Sequence, residues 1–169
     1  MRLLNYAAHR FECLQLRGWQ AGSALLAFYN DPAKRSLMKP EAIFELESGL
    51  KLSTFDITAA SVVRSQWYEA VRQFFQKFDY IMLPTAQLFA FDVGIHWPQE
   101  IAGTKMQTYH EWLKGVLAIT MSGCPALAVP AGFNDQGLPI GIQIIGPNHA
   151  ELPCLQLAYA YDTANGLAE

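Results

Sequence analysis

The segment Ser122–Pro125 (SGCP) is the most suggestive place for chemistry in this sequence, because a cysteine stands between a glycine and a proline. As a thiol nucleophile at a helix-to-strand turn, Cys124 would need a base from among His96, His110 and His149. Alternatively, its neighbours form a tight turn and Cys124 packs as a small apolar side chain. We favour the packing interpretation, since one cysteine with distant histidines is a weak indication of catalysis.

Other catalytic patterns are absent from the sequence. There is no GxSxG, no GxxxxGK[ST], no GxGxxG after a strand and no HExxH, since Lys114 stands where His110-Glu111 would need a second histidine. The four histidines show no metal-ligand spacing, so we expect neither a metal nor a cofactor. Asp79, at a helix-to-strand junction, is either a catalytic carboxylate or a residue that bonds nearby backbone groups, and we favour the second role.

The elements that would position these residues follow from hydrophobic periodicity and breakers. Six helices are predicted, at 2–17 ending at Gly18, 23–30, 40–49, 54–78, 105–121 and 151–164. Ser53 and Asp56 form a capping box for the helix over 54–78, whose apolar stripe is Ala60, Val63, Trp67, Val71, Phe74 and Phe78. Short apolar runs predict strands at 80–83, 126–129 and 140–145, with a loop over 85–103 and a turn over 133–139.

Helices that alternate with apolar strands indicate an α/β layered architecture. Both faces of each predicted strand are apolar, and such strands belong inside a wide sheet that helices cover. Only three strands are predicted, so the sequence as given lacks the rest of that sheet. We therefore predict a single partial domain over residues 1–169.

The composition narrows the class of protein. Of the 169 residues, 51% are hydrophobic and 16% charged, with a net charge of −3. This excludes disorder, and the lack of basic excess disfavours nucleic-acid binding. Three cysteines without a CxxC indicate free thiols and a cytoplasmic protein. The charge-free run 115–134 is broken by Pro125 and Pro130, so we expect no membrane span.

Four segments together resemble one family. Gly123–Phe133 (GCPALAVPAGF) and Gly137–Gly146 (GLPIGIQIIG) closely resemble the C-terminal region of the amidase signature family. Phe78–Thr85 (FDYIMLPT) is similar to that family's D-apolar-Pro-Thr segment, and Ser53–Asp56, with Arg64 eight residues further on, resembles its preceding helix. The segments occur in consistent order, with the strongest match over residues 40–165.

The resemblance implies the C-terminal part of an α/β/α mixed-sheet amidase domain that hydrolyses C–N amide bonds by acyl transfer. In the family, a Ser–cis-Ser–Lys set acts, on a Lys-bearing apolar strand and a Gly/Ser-rich loop. This sequence contains neither, so no catalytic residue is carried over and we expect the isolated chain to be inactive. The resemblance places Thr85, Gly123, Cys124 and Pro125 at the wall of the acyl-binding pocket, against the alternative that they serve turns and packing alone.

The low charge content leads to an expectation about partners. In a full-length domain, faces that look exposed in this chain would be interior, so we expect an apolar patch and self-association or binding of an N-terminal amidase portion. The assembled enzyme would take a small-molecule amide. The alternative function is a non-catalytic partner-binding or assembly module, and an independent thiol hydrolase would rest on Cys124 alone.

Overall fold

The computed structural model describes residues 10–166, which form helices and short strands joined by loops. The helices are α1 (Arg10–Tyr29), α2 (Pro32–Arg35), α3 (Pro40–Gly49), α4 (Thr54–Phe74), α5 (Lys114–Ser122) and α6 (Glu151–Ala164), with a 3-10 turn over Tyr109–Leu113. The strands are β1 (Ile81–Pro84), β2 (Glu100–Ile101), β3 (Thr104–Lys105), β4 (Ala126–Phe133) and β5 (Pro139–Ile145). The chain divides into two compact units, 1–70 and 71–169, and the single partial domain stays a prediction.

In the first unit, α1 is one continuous helix, so the predicted helix end at Gly18 and the separate helix over 23–30 are wrong. Residues 2–9 of the predicted first helix lie outside the described residues. Gly18 and Gly22 are buried where α1 packs along α3. A Cβ atom on Gly49 of α3 would lie 2.5 Å from the carbonyl carbon of Gly18, so the two backbones are in direct contact. Close packing here outweighs the low helix propensity of glycine.

Polar side chains also join the helices of this unit. The Tyr29 hydroxyl donates to Glu47 at 2.7 Å, which raises the pKa of Tyr29. The Arg35 guanidinium donates to the same carboxylate at 3.2 Å and lies 4.0 Å from the centroid of the Tyr29 ring. Arg17 pairs with Glu45. Because exposed ion pairs contribute little free energy, we expect the two ion pairs to add little to the packing of α1 on α3.

The start of α4 confirms the predicted capping box. The Asp56 N–H donates to Ser53 Oγ at 3.2 Å, and Asp56 Oδ2 accepts from the Ser53 N–H at 2.8 Å and from its hydroxyl at 2.7 Å. These bonds lower the pKa of Asp56. Ala60 and Val71 of the predicted stripe are buried, whereas Phe78 is 54% exposed because the helix ends before it.

In the second unit, β1, β5 and β4 form an antiparallel sheet in that order. The central β5 pairs over four residues with β1 and along its whole length with β4, with a register shift between Pro130 and Gly132. Since β1 and β4 both run antiparallel to β5, they are parallel to each other. Their C-terminal ends therefore lie at the same end of the sheet.

The two faces of this sheet are covered to different extents. On one face, α6 packs over the buried Val129 and Ile144, and its own buried residue there is Ala158. On the other face Gln143 and Ile145 of β5 are buried, but their neighbours Ala126 and Ala128 on β4 are exposed. The expectation of strands buried on both faces therefore holds for β5 and is wrong for β4 and for β1, whose Met82 and Pro84 are exposed.

The remaining predictions have mixed outcomes. β1, β5, α6 and the irregular character of most of 85–103 agree with the sequence, while β4 continues past Pro130 to Phe133. The helix predicted over 105–121 is wrong in its first half, because Lys105 ends the β2–β3 hairpin and the 3-10 turn precedes α5. Positive φ angles at Ala102 (48°) and Gly103 (77°) form that hairpin's turn. The charge-free run divides between α5 and β4, and no described helix has the length and apolarity needed to cross a bilayer.

Candidate functional site

Thr85 lies directly after β1, at the end of the sheet where β1 and β4 both have their C-termini. Its backbone N–H donates to the Gly141 carbonyl at 2.9 Å, and its hydroxyl donates to the same oxygen at 2.8 Å. A Cβ atom on Gly141 would lie 3.1 Å from Thr85 Oγ1 and 3.3 Å from Cγ2, so the threonine packs on bare backbone. The glycine in this strand therefore makes room for Thr85 and fixes its side chain.

The Gly123–Pro125 turn lies at the other end of the sheet, between α5 and β4. Gly123 ends α5 with a left-handed φ of 69°, and the Asn148 side-chain amide donates to its carbonyl at 2.6 Å. The Cys124 N–H donates to Ser122 Oγ at 3.2 Å, and Pro125 O accepts from the Gly146 N–H at 3.2 Å. All of these bonds shape the chain reversal.

The structure thus places Thr85 and the Gly123–Pro125 turn at opposite ends of the sheet. Thr85 is bonded to Gly141 and Pro125 to Gly146. Four residues of extended chain lie between those two glycines, so the glycines are five steps apart, which corresponds to about 17 Å. The part of each in a substrate pocket stays a prediction.

Gln143 is a buried polar residue whose role the sequence analysis missed. Its side-chain Nε2 donates to the Pro84 carbonyl at 3.0 Å and to the Gly115 carbonyl at 3.3 Å. The amide thereby ties the end of β1 to the first turn of α5, close to Thr85. A single polar residue within the apolar run Ile140–Ile145 was the signal that could have revealed it, because a buried amide needs bonding partners.

The loop after Thr85 is anchored to the same region. Gln87 Nε2 donates to the carbonyls of Glu111 and Trp112 at 2.9 and 2.6 Å, which fixes the loop on the 3-10 turn before α5. Phe91 and Tyr109 pack edge-on against Trp112, with centroids 5.8 and 6.2 Å away. The end of the sheet at Thr85 therefore combines the C-terminus of β1, an aromatic cluster and the start of α5. The N-terminus of a helix such as α5 favours negative charge.

The histidines proposed as bases for Cys124 occupy different places. His110 precedes α5 whereas Cys124 follows it, and nine helical residues span about 13 Å. His149 lies nearer, since it follows Asn148, which bonds the Gly123 carbonyl. It is exposed and has a φ of 63°. The thiol mechanism stays a hypothesis.

Two further observations bear on the chemistry of the cysteines and of metals. Cys154 is buried, and burial raises the pKa of its thiol. A neutral thiol is a poor nucleophile, so Cys154 is a packing residue against Gly146, where a Cβ atom would come within 2.5 Å of its sulfur. Among the described residues, no group of three or more His, Cys, Asp or Glu side chains could hold a metal ion.

Comparison with known proteins decides the family. The sequence model of the Amidase family matches residues 22–155. This match begins nearer the N-terminus than the strongest match predicted, over residues 40–165. The chain belongs to the amidase family. It is 33% identical over 127 residues to a glutamyl-tRNA(Gln) amidotransferase subunit of Thermodesulfovibrio yellowstonii, covering 70% of this chain and 25% of that protein. The corresponding glutamyl-tRNA(Gln) amidotransferase subunit of Moorella thermoacetica is 42% identical over 88 residues, covering 52% of this chain and 17% of that protein.

Solved amidase structures share the fold of this chain. A bacterial aryl acylamidase of the amidase signature enzymes superposes with a TM-score of 0.76 at 22% identity, covering 89% of this chain and 32% of that one. The Kluyveromyces lactis urea amidolyase gives a TM-score of 0.72 at 22% identity, covering 95% of this chain and 9% of that one. These confirm the predicted amidase-signature α/β fold. The chain spans about a quarter of the length of the first of the curated relatives.

Proposed function

We propose that this chain is the C-terminal part of a cytoplasmic amidase that hydrolyses C–N amide bonds of small molecules by acyl transfer. The observation that carries the proposal is the family match over residues 22–155, in a chain whose matching segment covers about a quarter of a relative's length. In this proposal the Ser–cis-Ser–Lys residues belong to the N-terminal portion of the amidase. The present chain contributes sheet strands and a wall of the acyl pocket, and is inactive alone.

The end of the sheet at Thr85 is the part of the chain that best suits a pocket wall. Thr85 and the aromatic cluster around Trp112 lie beside the end of β1 and the start of α5. Gln143 and Gln87 hold the backbone there through bonds to four carbonyls, so the wall would be rigid. For Gly123, Cys124 and Pro125, whose bonds serve a chain reversal about 17 Å away, we propose the turn and packing role.

A panel of amide substrates tests this proposal on the purified chain. We expect no turnover by the chain alone. We expect turnover when it is co-expressed with the Thermodesulfovibrio yellowstonii subunit from which the matched segment has been deleted. Robust turnover by the chain alone would contradict the proposal, and its loss in Cys124→Ala would then identify the thiol mechanism.

One observation favours a second candidate function, a non-catalytic assembly module. The outer face of α6 carries Leu152, Leu155 and Tyr159, which are 64, 55 and 72% exposed. A surface helix normally has a polar outer face, so this stripe suits contact with another protein. Size-exclusion chromatography and an amide-hydrolysis assay, each with and without the subunit that lacks its matched segment, discriminate the two functions. Stable self-association without restored hydrolysis favours the assembly module, whereas restored hydrolysis favours the amidase part.

A further inference from the structure

The side-chain amide of Gln87 has both of its hydrogens engaged. Its Nε2 donates to the Glu111 carbonyl at 2.9 Å and to the Trp112 carbonyl at 2.6 Å. A glutamine side chain has two N–H donors and one acceptor oxygen, so both donors are used. No residue in the described part of the chain donates to the oxygen, Oε1. The amide therefore offers one free acceptor and no free donor.

The two backbone carbonyls also fix the orientation of this amide. A carbonyl oxygen accepts hydrogen bonds and cannot donate them. If the amide rotated by half a turn, Oε1 would face two other oxygens and both hydrogen bonds would be lost. Oε1 therefore keeps the side of the amide that faces away from Glu111 and Trp112.

The backbone that carries Gln87 is held as well. Two residues earlier, the Thr85 N–H and hydroxyl both donate to the Gly141 carbonyl. Gln143 donates to the Pro84 carbonyl at 3.0 Å and to the Gly115 carbonyl at 3.3 Å, which joins this segment to the first turn of α5. Gln87 is thus anchored through its own chain on one side and through its amide on the other.

Gln87 is nevertheless exposed. An exposed glutamine normally occupies several rotamers, and a ligand that bonds it must order the side chain at a cost in entropy. In this chain the fold has already ordered the side chain, so a ligand gains the bond without that cost. Because the free atom is an acceptor, the ligand must supply an N–H or O–H donor.

We propose that Gln87 is a specificity-determining residue of the amidase, whose Oε1 accepts a hydrogen bond from an N–H or O–H group on the acyl part of the substrate. The inference rests on the proposed function, in which the end of the sheet at Thr85 is a wall of the acyl pocket. It adds the substrate class. Amides whose acyl group carries a hydrogen-bond donor are preferred over amides of the same shape that carry a methyl group in its place.

Matched pairs of substrates test this inference. Each pair consists of two primary amides that differ in a hydroxyl or amino group against a methyl group. The pairs are glycolamide with propionamide, and para- and meta-aminobenzamide with the corresponding methylbenzamides. The enzyme is the chain co-expressed with the Thermodesulfovibrio yellowstonii subunit from which the matched segment has been deleted.

Three variants separate the oxygen of Gln87 from its anchoring bonds. Gln87→Met removes both the donors and the acceptor. Gln87→Lys keeps N–H donors for the two carbonyls but has no acceptor. Gln136→Met, in the exposed turn before β5, is the matched control. Circular dichroism first compares the folding of the variants with that of the parent chain.

We expect the parent enzyme to show a KM about tenfold lower for the donor-bearing member of at least one pair, the effect of one hydrogen bond. Both Gln87 variants lose this preference through a raised KM for that member, with kcat unchanged, because the bond is present in the ground state and the transition state alike. The KM of the methyl member stays the same, and Gln136→Met keeps the preference. Comparing one pair across the variants cancels the difference in intrinsic reactivity between its two amides.

Turnover by the parent enzyme without a preference in any pair overturns this inference and leaves the proposed function intact. A preference that survives in Gln87→Met or in Gln87→Lys overturns the role of Oε1. A variant that raises KM equally for both members of a pair makes Gln87 a loop anchor only and also overturns that role. Because the two members of a pair are compared within one variant, either Gln87 variant decides the question if the other is unfolded. No turnover of any amide by the co-expressed parent contradicts the proposed function and this inference together.

Discussion

The contact of Gly49 with Gly18 predicts that Gly49→Ala destabilises the chain. A Cβ atom at position 49 would lie 2.5 Å from the Gly18 carbonyl carbon and 3.1 Å from the Trp19 nitrogen, all atoms of the α1 backbone. Backbone atoms inside a helix cannot turn aside as a flexible side chain can. The methyl group would therefore push α1 and α3 apart.

The size of the effect follows from that distance. Carbon atoms in good contact lie about 3.5–4.0 Å apart, so the helices would separate by roughly 1 Å. Overpacking of this kind costs about 1–3 kcal/mol, and the better helix propensity of alanine offsets at most about 1 kcal/mol. We expect a net loss of about 1–2 kcal/mol, which lowers the unfolding midpoint by roughly 2–8 °C.

Gly22→Ala is the matched control on α1. The nearest atom to its added Cβ is the Leu46 carbonyl oxygen at 3.8 Å, an ordinary contact, so this variant gains about 1 kcal/mol of helix propensity without a clash. Scanning calorimetry, with urea unfolding followed by circular dichroism, measures both variants. If Gly49→Ala proves as stable as Gly22→Ala, the two helices do not approach as described and the reasoning is wrong.

Three further predictions concern bonds of single side chains. Gln143→Met leaves a buried position without the two bonds of its amide to backbone carbonyls, and we expect urea unfolding to show a loss of about 2 kcal/mol, against no change for Gln136→Met in the exposed turn. Thr85→Val loses the hydroxyl bond to Gly141 and about 1 kcal/mol, whereas Thr85→Ser keeps that bond; equal losses in the two variants would refute the role of the hydroxyl. Asp56 has a pKa below its ordinary 3.8 in the folded chain, so its carboxylate stabilises α4 above that value, and the stabilisation is lost as pH falls through the folded pKa. The midpoint difference from Asp56→Asn, measured by thermal unfolding, should be present at pH 7 and vanish in acid; a pH-independent difference would contradict this.

Local patterns in the sequence were sufficient for several elements. The capping box at Ser53, the turn around Gly137, β5 and the bounds of α6 depend on residues near each other in the chain. In the turn, Asn134 Oδ1 accepts from two backbone N–H groups at 3.0 and 2.9 Å, a bond pattern typical of asparagine in turns. Such interactions are encoded by type and spacing alone.

Where a distant segment decides the outcome, the sequence analysis failed. Gly18 has the propensity of a helix stop, but the close approach of Gly49, thirty-one positions later, makes it a packing residue inside α1. The loop and turn before α5 are held by Gln87 through bonds to backbone carbonyls, a contact that no periodicity reveals.

The sequence by itself determined the family, because ordered motifs over residues 53–146 are specific regardless of how the chain folds, and the match over 22–155 confirmed it. It also determined the α/β class through the period of its apolar residues. Only the tertiary structure decided which of the candidate residues share a location. Thr85 and Cys124 flank the strands β1 and β4, which are parallel to each other. Thr85 follows the end of β1 whereas Cys124 precedes the start of β4, so the sheet holds the two residues at its opposite ends. The pairing of β1 and β4 with the central β5 sets that separation, and register between distant strands is a property of the folded chain.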